Sequence, residues 1–538
     1  DYTTVKGEKW YDPRTSNGDD ENGEVVKRIR EYKKMVWSNT LSYLTTFNNI
    51  HHLDFLAGYE IDDTYNDYLS GEAYNFTTPD KHAISNGMKT VSVGGSDSRY
   101  RLVSYLSRLN YDYKNKYYLG ASFRVDGSSR LHRDNRWGTF WSVSGAWRTI
   151  EEEFMQPVKD WLTDLRIRAS YGVNGTLPSD YFGYMGLSSI SGGYLEQPGI
   201  QMSQIANPNL KWETNYNMNI GLDFGFWDRL NFTIEYYTRT TKNLLMDCPV
   251  SMTTGFSSYL MNIGEVKNKG IELTINSTNI KIKDFSWNTT FNLGHNSNKV
   301  VKLDGEQTQI VSGTQIHKVG SSYRTFYVQE FAGINPETGN PLFYTNELDE
   351  NGNYIKEITE NSKNAQFIPY KHAEPTVNGG ISNSLRYKWL DLNFLFSYQF
   401  GGYSYDTWAQ KTEHGGYDSY ANIPTYYRDS WKKPGDQTNI EVYMLGKSSS
   451  VSMHKITSSR RIHSTDYFRL KNITFGITLP KEWTNKINIG NVRFYASASN
   501  LWTWAAYDNY DPEAVSAGSA TQTTPPLKTV TFGLNINF

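Results

Sequence analysis

The chain has 538 residues and a formal net charge of −2, and aromatic residues make up 15% of it, with 40 Tyr, 25 Phe and 15 Trp. The near-neutral charge excludes the electrostatic footprint of a nucleic-acid-binding protein, and no run reaches the roughly 18 apolar residues of a membrane-spanning helix. The single Cys248 excludes an internal disulfide. Two classes of β protein are this rich in aromatic residues: membrane barrels with interfacial aromatic girdles, and soluble carbohydrate-binding proteins.

Residues 1–26 are polar and rich in turn-forming residues, so we expect a loop at the start of the chain. Alternation of apolar and polar residues then predicts about fifteen strands, and a short helical segment is possible at 151–162. The clearest hairpin has the turn YKNK between its two strands. The predicted strands are 30–46, 50–67, 103–113, 117–126, 140–149, 163–173, 213–226, 229–240, 268–279, 284–300, 376–386, 389–400, 466–478, 489–500 and 528–538.

The last strand, 528–538, shows the alternation most clearly. Val530, Phe532, Leu534, Ile536 and Phe538 fall on one face, and Thr and Asn residues with one Gly fall on the other. Its length fits the 9–11 residues of a transmembrane strand. An exposed edge this apolar would aggregate in water. We therefore expect it to complete a closed barrel in a membrane.

Long and short connections alternate between the predicted strands. This sorting is typical of outer-membrane barrels, which have short periplasmic turns and long extracellular loops, whereas a propeller would show a repeat of about 40–50 residues. We predict an all-β chain forming a transmembrane antiparallel β-barrel over 1–538. If the last strand ends in the periplasm, the first strand runs down from the extracellular side and the number of strands is odd. The connection 301–375 could hold two more strands without changing this parity. The long loops are predicted at about 67–97, 127–139, 174–212, 241–267, 301–375, 401–465 and 501–527.

Seven segments, in order, resemble the barrel half of SusC/RagA-like TonB-dependent outer-membrane transporters. Together they are distributed over nearly the whole chain. They are GASFRVDGSSR (120–130), LRIRASYGVNG (165–175), NPNLKWE (207–213), NIGEVKNKGIEL (262–273), YKWLDLNFLFSYQFGG (387–402), TDYFRLKNITFGITLP (465–480) and RFYASASNLWTW (493–504).

The resemblance implies the last fifteen strands of a 22-stranded barrel. It also implies a SusD-like surface lipoprotein as a lid, a dimer of transporter–lid pairs, and contact with outer-membrane lipid. No plug domain or signal peptide is recognisable from Asp1 onward. We therefore expect the plug, and the segment that contacts the TonB–ExbB–ExbD energising complex, on a preceding part of the polypeptide or on a separate chain. The aromatic end at Phe538 resembles the recognition signal of barrel assembly machinery.

Candidate site residues lie in the loop FGGYSYDTWAQ (400–410), where Tyr403, Tyr405 and Trp408 are close in sequence. Aromatic faces suit sugar stacking or a protein interface, and the alternative is girdle or loop packing. The stretch containing Trp212 and Glu213 is expected to fix loop and strand geometry. Glu151, Glu152 and Glu153 are predicted to be a solvated face, and Asp349–Asn353 a turn that lacks the spacing of a calcium loop.

The sequence thus predicts an importer of a bulky nutrient, with an oligosaccharide or glycan as the leading substrate class and a peptide as the alternative. A passive porin or surface adhesin is the second alternative. No catalytic residue, metal site or cofactor is predicted, because no nucleophile elbow, P-loop or dinucleotide fingerprint occurs in a suitable context. A secreted carbohydrate-active enzyme would need a catalytic carboxylate pair.

Overall fold

The computed structural model describes all residues except 195–196, 304–307, 418–421, 447–452, 454, 485, 487–488, 521–522 and 538. Strands dominate the described residues. They are β1 (Tyr2–Tyr11), β2 (Glu24–Phe47), β3 (His51–Phe76), β4 (Gly87–Tyr113), β5 (Tyr117–Ser128), β6 (Trp137–Trp147), β7 (Leu162–Thr176), β8 (Leu187–Tyr194), β9 (Gln197–Gln204), β10 (Glu213–Phe226), β11 (Leu230–Lys242), β12 (Leu245–Pro249), β13 (Ser258–Asn262), β14 (Glu265–Lys281), β15 (Phe285–Lys302), β16 (Gln309–Ser312), β17 (Gln315–Lys318), β18 (Thr325–Gln329), β19 (Phe331–Ile334), β20 (Pro341–Tyr344), β21 (Ile358–Thr359), β22 (Phe367–His372), β23 (Val377–Tyr387), β24 (Leu390–Phe400), β25 (Tyr403–Asp406), β26 (Ile462–Ser464), β27 (Tyr467–Thr478), β28 (Asn491–Ala505), β29 (Ser519–Ala520) and β30 (Thr529–Asn537).

Helices are short. The α-helices are α1 (Thr407–Thr412) and α2 (Lys481–Thr484). Turns of 3₁₀-helix occur at Ile84–Asn86, Thr149–Glu151, Glu153–Val158, Met252–Thr254, Ser362–Asn364, Thr425–Asp429, Ser459–Arg461 and Pro512–Ala514. No helix in the described part of the chain is long and apolar enough to cross a membrane.

The main sheet contains sixteen strands among the described residues, in the order β1-β2-β3-β4-β5-β6-β7-β10-β11-β14-β15-β23-β24-β27-β28-β30. Every strand predicted from the sequence occurs in it. The sequence prediction missed β1, which we assigned to a loop and which pairs with β2 from Tyr2↔Lys33 to Tyr11↔Glu24. Polar residues occur on both faces of β1, so the alternation of apolar and polar residues that marks the other strands is weak there. The expected odd strand count is therefore wrong.

The connection 301–375 adds no strand to the main sheet among its described residues. It forms two small sheets, β16-β17-β18-β22 and β19-β20-β21. The segment 151–162 contains 3₁₀ turns where we considered a helix. The predicted connection at 67–97 is shorter than expected, because β3 runs on to Phe76 and β4 begins at Gly87.

The chain divides into two compact units. Unit 1 comprises Asp1–Ala146, Ser170–Tyr216 and Thr241–Ile263, and unit 2 the rest of the chain. In unit 1, antiparallel pairing joins β1 to β2, β3, β4 and β5 in order. Three-residue turns close the hairpins β2–β3 (48–50) and β4–β5 (114–116). Two residues of each turn have positive φ, Asn48 and Asn49 in the first and Lys114 and Asn115 in the second; short hairpin turns of this kind match the twist of the strands.

One face of β2–β5 in unit 1 is apolar and exposed. Between two rows of aromatic side chains it carries aliphatic residues such as Leu41, Leu109 and Leu119. One row, which we call the upper aromatic row, consists of Trp37, Tyr59, Tyr105 and Trp137, with ring centroids of successive members 5.1–6.4 Å apart. The other lies beside the tight turns and contains His51, Tyr113 and Tyr117.

In unit 2, strands β14, β15, β23, β24, β27, β28 and β30 pair antiparallel in that order. The two faces of β24 differ sharply. Leu392, Phe394 and Phe396 alternate with Asp391 and Asn393. The Asp391 carboxylate accepts a hydrogen bond from Arg493 Nη2 at 2.6 Å, and Phe396 stacks on Phe468 at a centroid distance of 4.9 Å. One face is therefore polar and the other apolar.

Candidate functional site

The predicted aromatic loop forms a compact substructure in unit 2. Its strand β25 lies in a small sheet of order β26-β25-β29. Tyr405 on this strand is 0% exposed and packs with Phe326, Val328 and Ile462. The connections 301–375 and 401–465 thus share one local core, and β29 from the connection 501–527 joins its sheet, which fixes the position of the loop.

Asp406 links the connections 401–465 and 501–527 by hydrogen bonds. Its fully buried carboxylate accepts from the Ala409 backbone N–H at 2.7 Å, the Tyr507 hydroxyl at 3.0 Å and Asn509 Nδ2 at 2.9 Å. The first of these caps the N-terminus of α1. Asp406 therefore fixes the direction in which α1 leaves the small sheet.

Charged groups are also buried beside this core. Arg461 forms an ion pair with Glu413, and both side chains are buried. Burial lowers the pKa of Arg461 to about 10, opposed by the nearby phenol of Tyr405 and carboxylate of Asp406. Burial likewise raises the pKa of Tyr405 to about 12, so its hydroxyl is neutral at physiological pH. A buried pair of this kind favours one loop arrangement, because separating the charges would leave each one desolvated.

The three aromatic residues singled out from the sequence have different environments. The Trp408 side chain, on α1, is 37% exposed. Tyr403 is half-buried against the Tyr405 core, with Lys371 Nζ 5.2 Å from the centre of its ring. Tyr405 has no exposed surface. Of the three, Trp408 is the side chain that a ligand could reach, and Tyr405 belongs to the loop packing that was the alternative interpretation.

A second feature was not predicted: a recess of about 430 Å³ on the strands of unit 2. The Tyr237 hydroxyl on its wall donates to Asn296 Oδ1 at 2.9 Å, and Asn298 Nδ2 donates to Asn268 Oδ1 at 2.8 Å. Such side chains offer both donors and acceptors. The lining residues are Asn217, Met218, Asn219, Tyr237, Thr238, Arg239, Asn268 and Asn296.

A sequence signal for this recess existed. In ETNYNMN (213–219) the amides of Asn215, Asn217 and Asn219 recur at every second position. Three successive amides on one strand face supply neighbouring hydrogen-bond donors and acceptors, which a merely solvated face does not require. Asn215 is buried, receiving a hydrogen bond from Thr241 Oγ1 at 2.7 Å, while the next two line the recess.

The NPNLKWE stretch in unit 1 lies in a structural core. Trp212 Nε1 donates to the Arg136 carbonyl at 3.0 Å, and Trp212 packs with Leu131, Phe140 and Leu210. Glu213 Oε2 accepts from the Leu245 backbone N–H at 3.4 Å. These contacts agree with the expected role in loop and strand geometry.

The acidic candidates make local contacts. Glu151 Oε1 pairs with Arg148 at 3.0 Å, and Glu152 accepts from Trp147 Nε1 at 3.1 Å. Asp349 Oδ1 accepts from the backbone N–H groups of Asn351 and Asn353 at 2.9 and 2.8 Å, which makes the predicted turn. Phe538 lies outside the described residues, so its role stays a prediction.

Comparison with known proteins identifies the fold. Residues 1–354 match the family described as TonB dependent receptor-like, beta-barrel. The chain is 31% identical over 547 residues to TonB-dependent receptor P3 of Formosa agariphila, covering 96% of this chain and 53% of that protein. It is 29% identical over 541 residues to TonB-dependent receptor SusC of Bacteroides thetaiotaomicron, covering 96% and 51%. The chain thus spans about half the length of the curated relatives it matches.

Among solved structures, the chain superposes on that of the RagAB peptide transporter with a TM-score of 0.87 and 26% sequence identity, covering 100% of this chain and 59% of that one. The predicted all-β barrel class and the resemblance to SusC/RagA-like proteins are confirmed. The exposed apolar strand faces match the lipid-facing surface of such proteins. The chain therefore belongs to the TonB-dependent receptor β-barrel family of the bacterial outer membrane.

Proposed function

We propose that this chain forms the barrel wall of a TonB-dependent importer that carries a bulky polar nutrient across the outer membrane. The observation that carries the proposal is the amide-lined recess on a family barrel. Lipid-facing and lumen-facing residues alternate in such barrels. Asn296 on β15 faces the same side as Asn292 and Gly294, opposite to the apolar Phe291 and Leu293. The recess is thus on the polar, lumen-facing side.

An oligosaccharide is the substrate class that we favour. Sugar hydroxyl groups both donate and accept hydrogen bonds, and neutral amides can serve both roles without a charge to desolvate. Tyr237 adds an aromatic ring to the same recess, and Trp408 presents a second exposed aromatic surface on its loop. Aromatic faces suit the apolar C–H faces of a sugar.

A peptide is the second candidate, and the similarity to the RagAB peptide transporter favours it. Peptide backbones also donate and accept, so Asn268 and Asn296 would suit either ligand. Arg239 also lines the recess, and guanidinium groups pair with carboxylates. An experiment in which an oligosaccharide and a peptide compete for binding to the same protein distinguishes the two candidates.

We further propose that a SusD-like surface lipoprotein covers the long loops and that two transporter–lid pairs associate. The loops are longer than barrel closure requires, and long ordered loops are usually functional. The buried core around Tyr405 and Asp406 supports this, since it gives the 401–465 connection a fixed surface on which a partner could dock. Affinity purification from membranes should then recover a lipidated second chain.

The test is transport by the full-length protein in cells with and without TonB. Oligosaccharide uptake that stops without TonB is expected, whereas unchanged uptake would indicate a passive porin. The double variant Asn268→Ala/Asn296→Ala should weaken binding by about thirtyfold, since each of the two lost hydrogen bonds contributes roughly 1 kcal/mol. Asn276→Ala is the matched control: it lies on β14 on the same face as Asn268, pairs with Thr290 and is outside the recess. Equal loss in the control would refute the assignment of the recess.

A further inference from the structure

A group of cations stands just beyond the upper aromatic row of unit 1. Ile61 pairs with Val103 on the apolar face. The next pair on that face, toward the long connections, is Asp63↔Arg101, and the pair after it is Tyr65↔Arg99. Lys33 pairs with Tyr65 on the other side. Side chains two residues apart on a strand share a face. Arg99, Arg101 and Lys33 therefore lie on the lipid-facing side, above the aromatic row.

The height of these cations fits a lipid headgroup. Trp37 and Phe47 are ten residues apart on β2, which is about 33 Å along a strand and about 25 Å along the normal at the usual tilt. That is the height of an outer-membrane apolar band. Arg101 and Arg99 stand two and four residues beyond Val103, or roughly 5 and 10 Å higher. The headgroup layer occupies about this range on each side of the hydrocarbon core.

The cluster lies on the extracellular side. The connections at that end of the strands, 12–23 and 77–86, are long, whereas Asn48–Asn49 and Lys114–Asn115 close tight turns at the opposite end. Outer-membrane barrels place the long connections outside the cell. The three cations consequently face the outer leaflet.

Their local contacts leave positive charge exposed. Arg99 Nε and Arg101 Nε both donate to the Asp63 carboxylate, at 2.7 and 2.9 Å. The Asp63 side chain is only 11% exposed, whereas those of Arg99 and Arg101 are 52% and 57% exposed. The carboxylate thus holds the two guanidinium groups together from beneath. The two guanidinium groups are therefore exposed to solvent and lipid, and their remaining N–H groups can bind an anion bidentately.

Lys33 extends the cluster along the same row. Its Nζ lies 5.9 Å from the ring centre of Tyr65 and pairs with Glu31 at 3.0 Å. The following row carries the acidic residues Glu31, Asp67 and Asp97, which pair across β2, β3 and β4. This acidic row separates the cations at headgroup height from Lys6 and Lys27, which lie farther out on the same face, where Lys27 pairs with Glu8 at 3.1 Å.

We propose that Arg99, Arg101 and Lys33 form a binding site for the phosphorylated headgroup of an outer-leaflet glycolipid. The acyl chains would lie along the apolar face below Trp37 and Tyr59, and the phosphate would contact the paired guanidinium groups. Guanidinium groups match the geometry of phosphate oxygens. The site is on the lipid-facing surface and shares no residue with the proposed transport recess.

The test is titration of the purified full-length protein in detergent with lipid A, in phosphorylated and dephosphorylated forms, with bound lipid counted by native mass spectrometry. Phosphorylated lipid A should bind at least tenfold more tightly. Arg99→Gln/Arg101→Gln should remove that preference, and Arg99→Lys/Arg101→Lys should retain most of it. Inorganic phosphate alone should compete weakly, because it lacks the acyl chains.

Arg108→Gln is the matched control. Arg108 is on the same strand β4, its side chain is 52% exposed, and it pairs with Asp54 at 3.2 Å, but on the opposite face. It should leave lipid binding unchanged. Asp63→Asn removes the carboxylate that competes with the lipid phosphate, so it should tighten binding. A gain of affinity cannot result from poor folding, so this variant tests the site even if the double variant folds poorly. Equal affinity for both lipids, an equal loss in Arg108→Gln, weaker binding in Asp63→Asn, or phosphate binding without lipid binding would each overturn the proposal.

Discussion

The imidazole of His463 lies flat on the phenol ring of Tyr507, with ring centroids 3.7 Å apart and ring planes inclined by 3°. The contact joins β26 to the connection that carries Asn509. Burial lowers the pKa of His463 to about 4, an effect that the Asp406 carboxylate opposes and that Arg461 and Arg460 reinforce. The stack is therefore formed by a neutral imidazole at physiological pH.

This contact predicts a pH dependence of the loop core. The folded pKa lies below the unfolded value of about 6.5. The contribution of His463 to stability is therefore fully present above about pH 6.5 and is lost as the pH falls toward 4. The protection factors of the Ile462–Ser464 amides, which are corrected for the intrinsic pH dependence of hydrogen exchange, should fall between pH 7 and pH 4.5. The variant His463→Phe keeps a ring to stack without a titrating group, so its protection factors should change less over this range. An identical fall in both proteins would contradict the prediction.

Tyr405 and Trp408 should separate packing from ligand contact. Tyr405→Ala removes a fully buried ring and should destabilise the loop core by about 3–5 kcal/mol, whereas Tyr405→Phe should be tolerated. Trp408→Ala should leave the core intact and reduce substrate uptake or lid affinity, because its ring is exposed. Hydrogen exchange of Tyr403–Asp406 reports the first effect, and uptake by cells reports the second. If Trp408→Ala loosens the core as much as Tyr405→Ala, Trp408 is only a packing residue.

Neighbouring residues of β24 should differ in their tolerance of charge. Phe394 is on the apolar face and contacts Phe396 with a centroid distance of 5.9 Å, so Phe394→Lys should cost about 2–4 kcal/mol of barrel stability. Leu392 and Phe396 share that face. Asn393 Nδ2 donates to Asp391 at 3.3 Å on the polar face, so Asn393→Lys should be tolerated. Folded barrel in isolated outer membranes is the measurement, and equal yields for both variants would contradict the assignment of faces.

Phe538 should matter for assembly rather than transport. The described part of β30 pairs with β28 from Thr529↔Ser499 to Asn537↔Asn491, and its apolar residues Phe532 and Leu534 are exposed. Deleting Phe538 or replacing it with Asp should lower the amount of protein in the outer membrane without changing uptake per molecule. Phe538→Trp is the control that keeps an aromatic end. Normal surface levels of the deletion variant would make Phe538 an ordinary interfacial residue.

The sequence predicts the main strands well because one periodicity decides them. A strand with lipid on one side and a polar lumen on the other must alternate, and β24 and β30 do so visibly. In β1, Thr3, Val5 and Gly7 alternate with Thr4, Lys6 and Glu8, which gives no strong contrast, so pairing with β2 rather than its own pattern reveals it.

The candidate site was harder to predict because it depends on contacts between distant segments. Tyr405 and Trp408 look alike in sequence, and only the packing of Phe326 and Ile462 around Tyr405 shows which ring is buried. Asp406 likewise receives hydrogen bonds from residues about 100 positions away. The amide recess combines four strands, so ETNYNMN alone could indicate only part of its wall.

The length of β2, β3 and β4 has a consequence for how cells present this protein. They have 24, 26 and 27 residues, more than twice what crossing the bilayer requires. On β2, the residues from Glu24 to Val36 lie above Trp37, so at the usual strand tilt the hydrogen-bonded sheet rises about 30 Å above the upper aromatic row. A protease added to intact cells should therefore cut at the connections 12–23 or 77–86 without releasing the strands between them. Antibodies raised against intact cells should recognise the folded strand surface there and fail on the denatured chain.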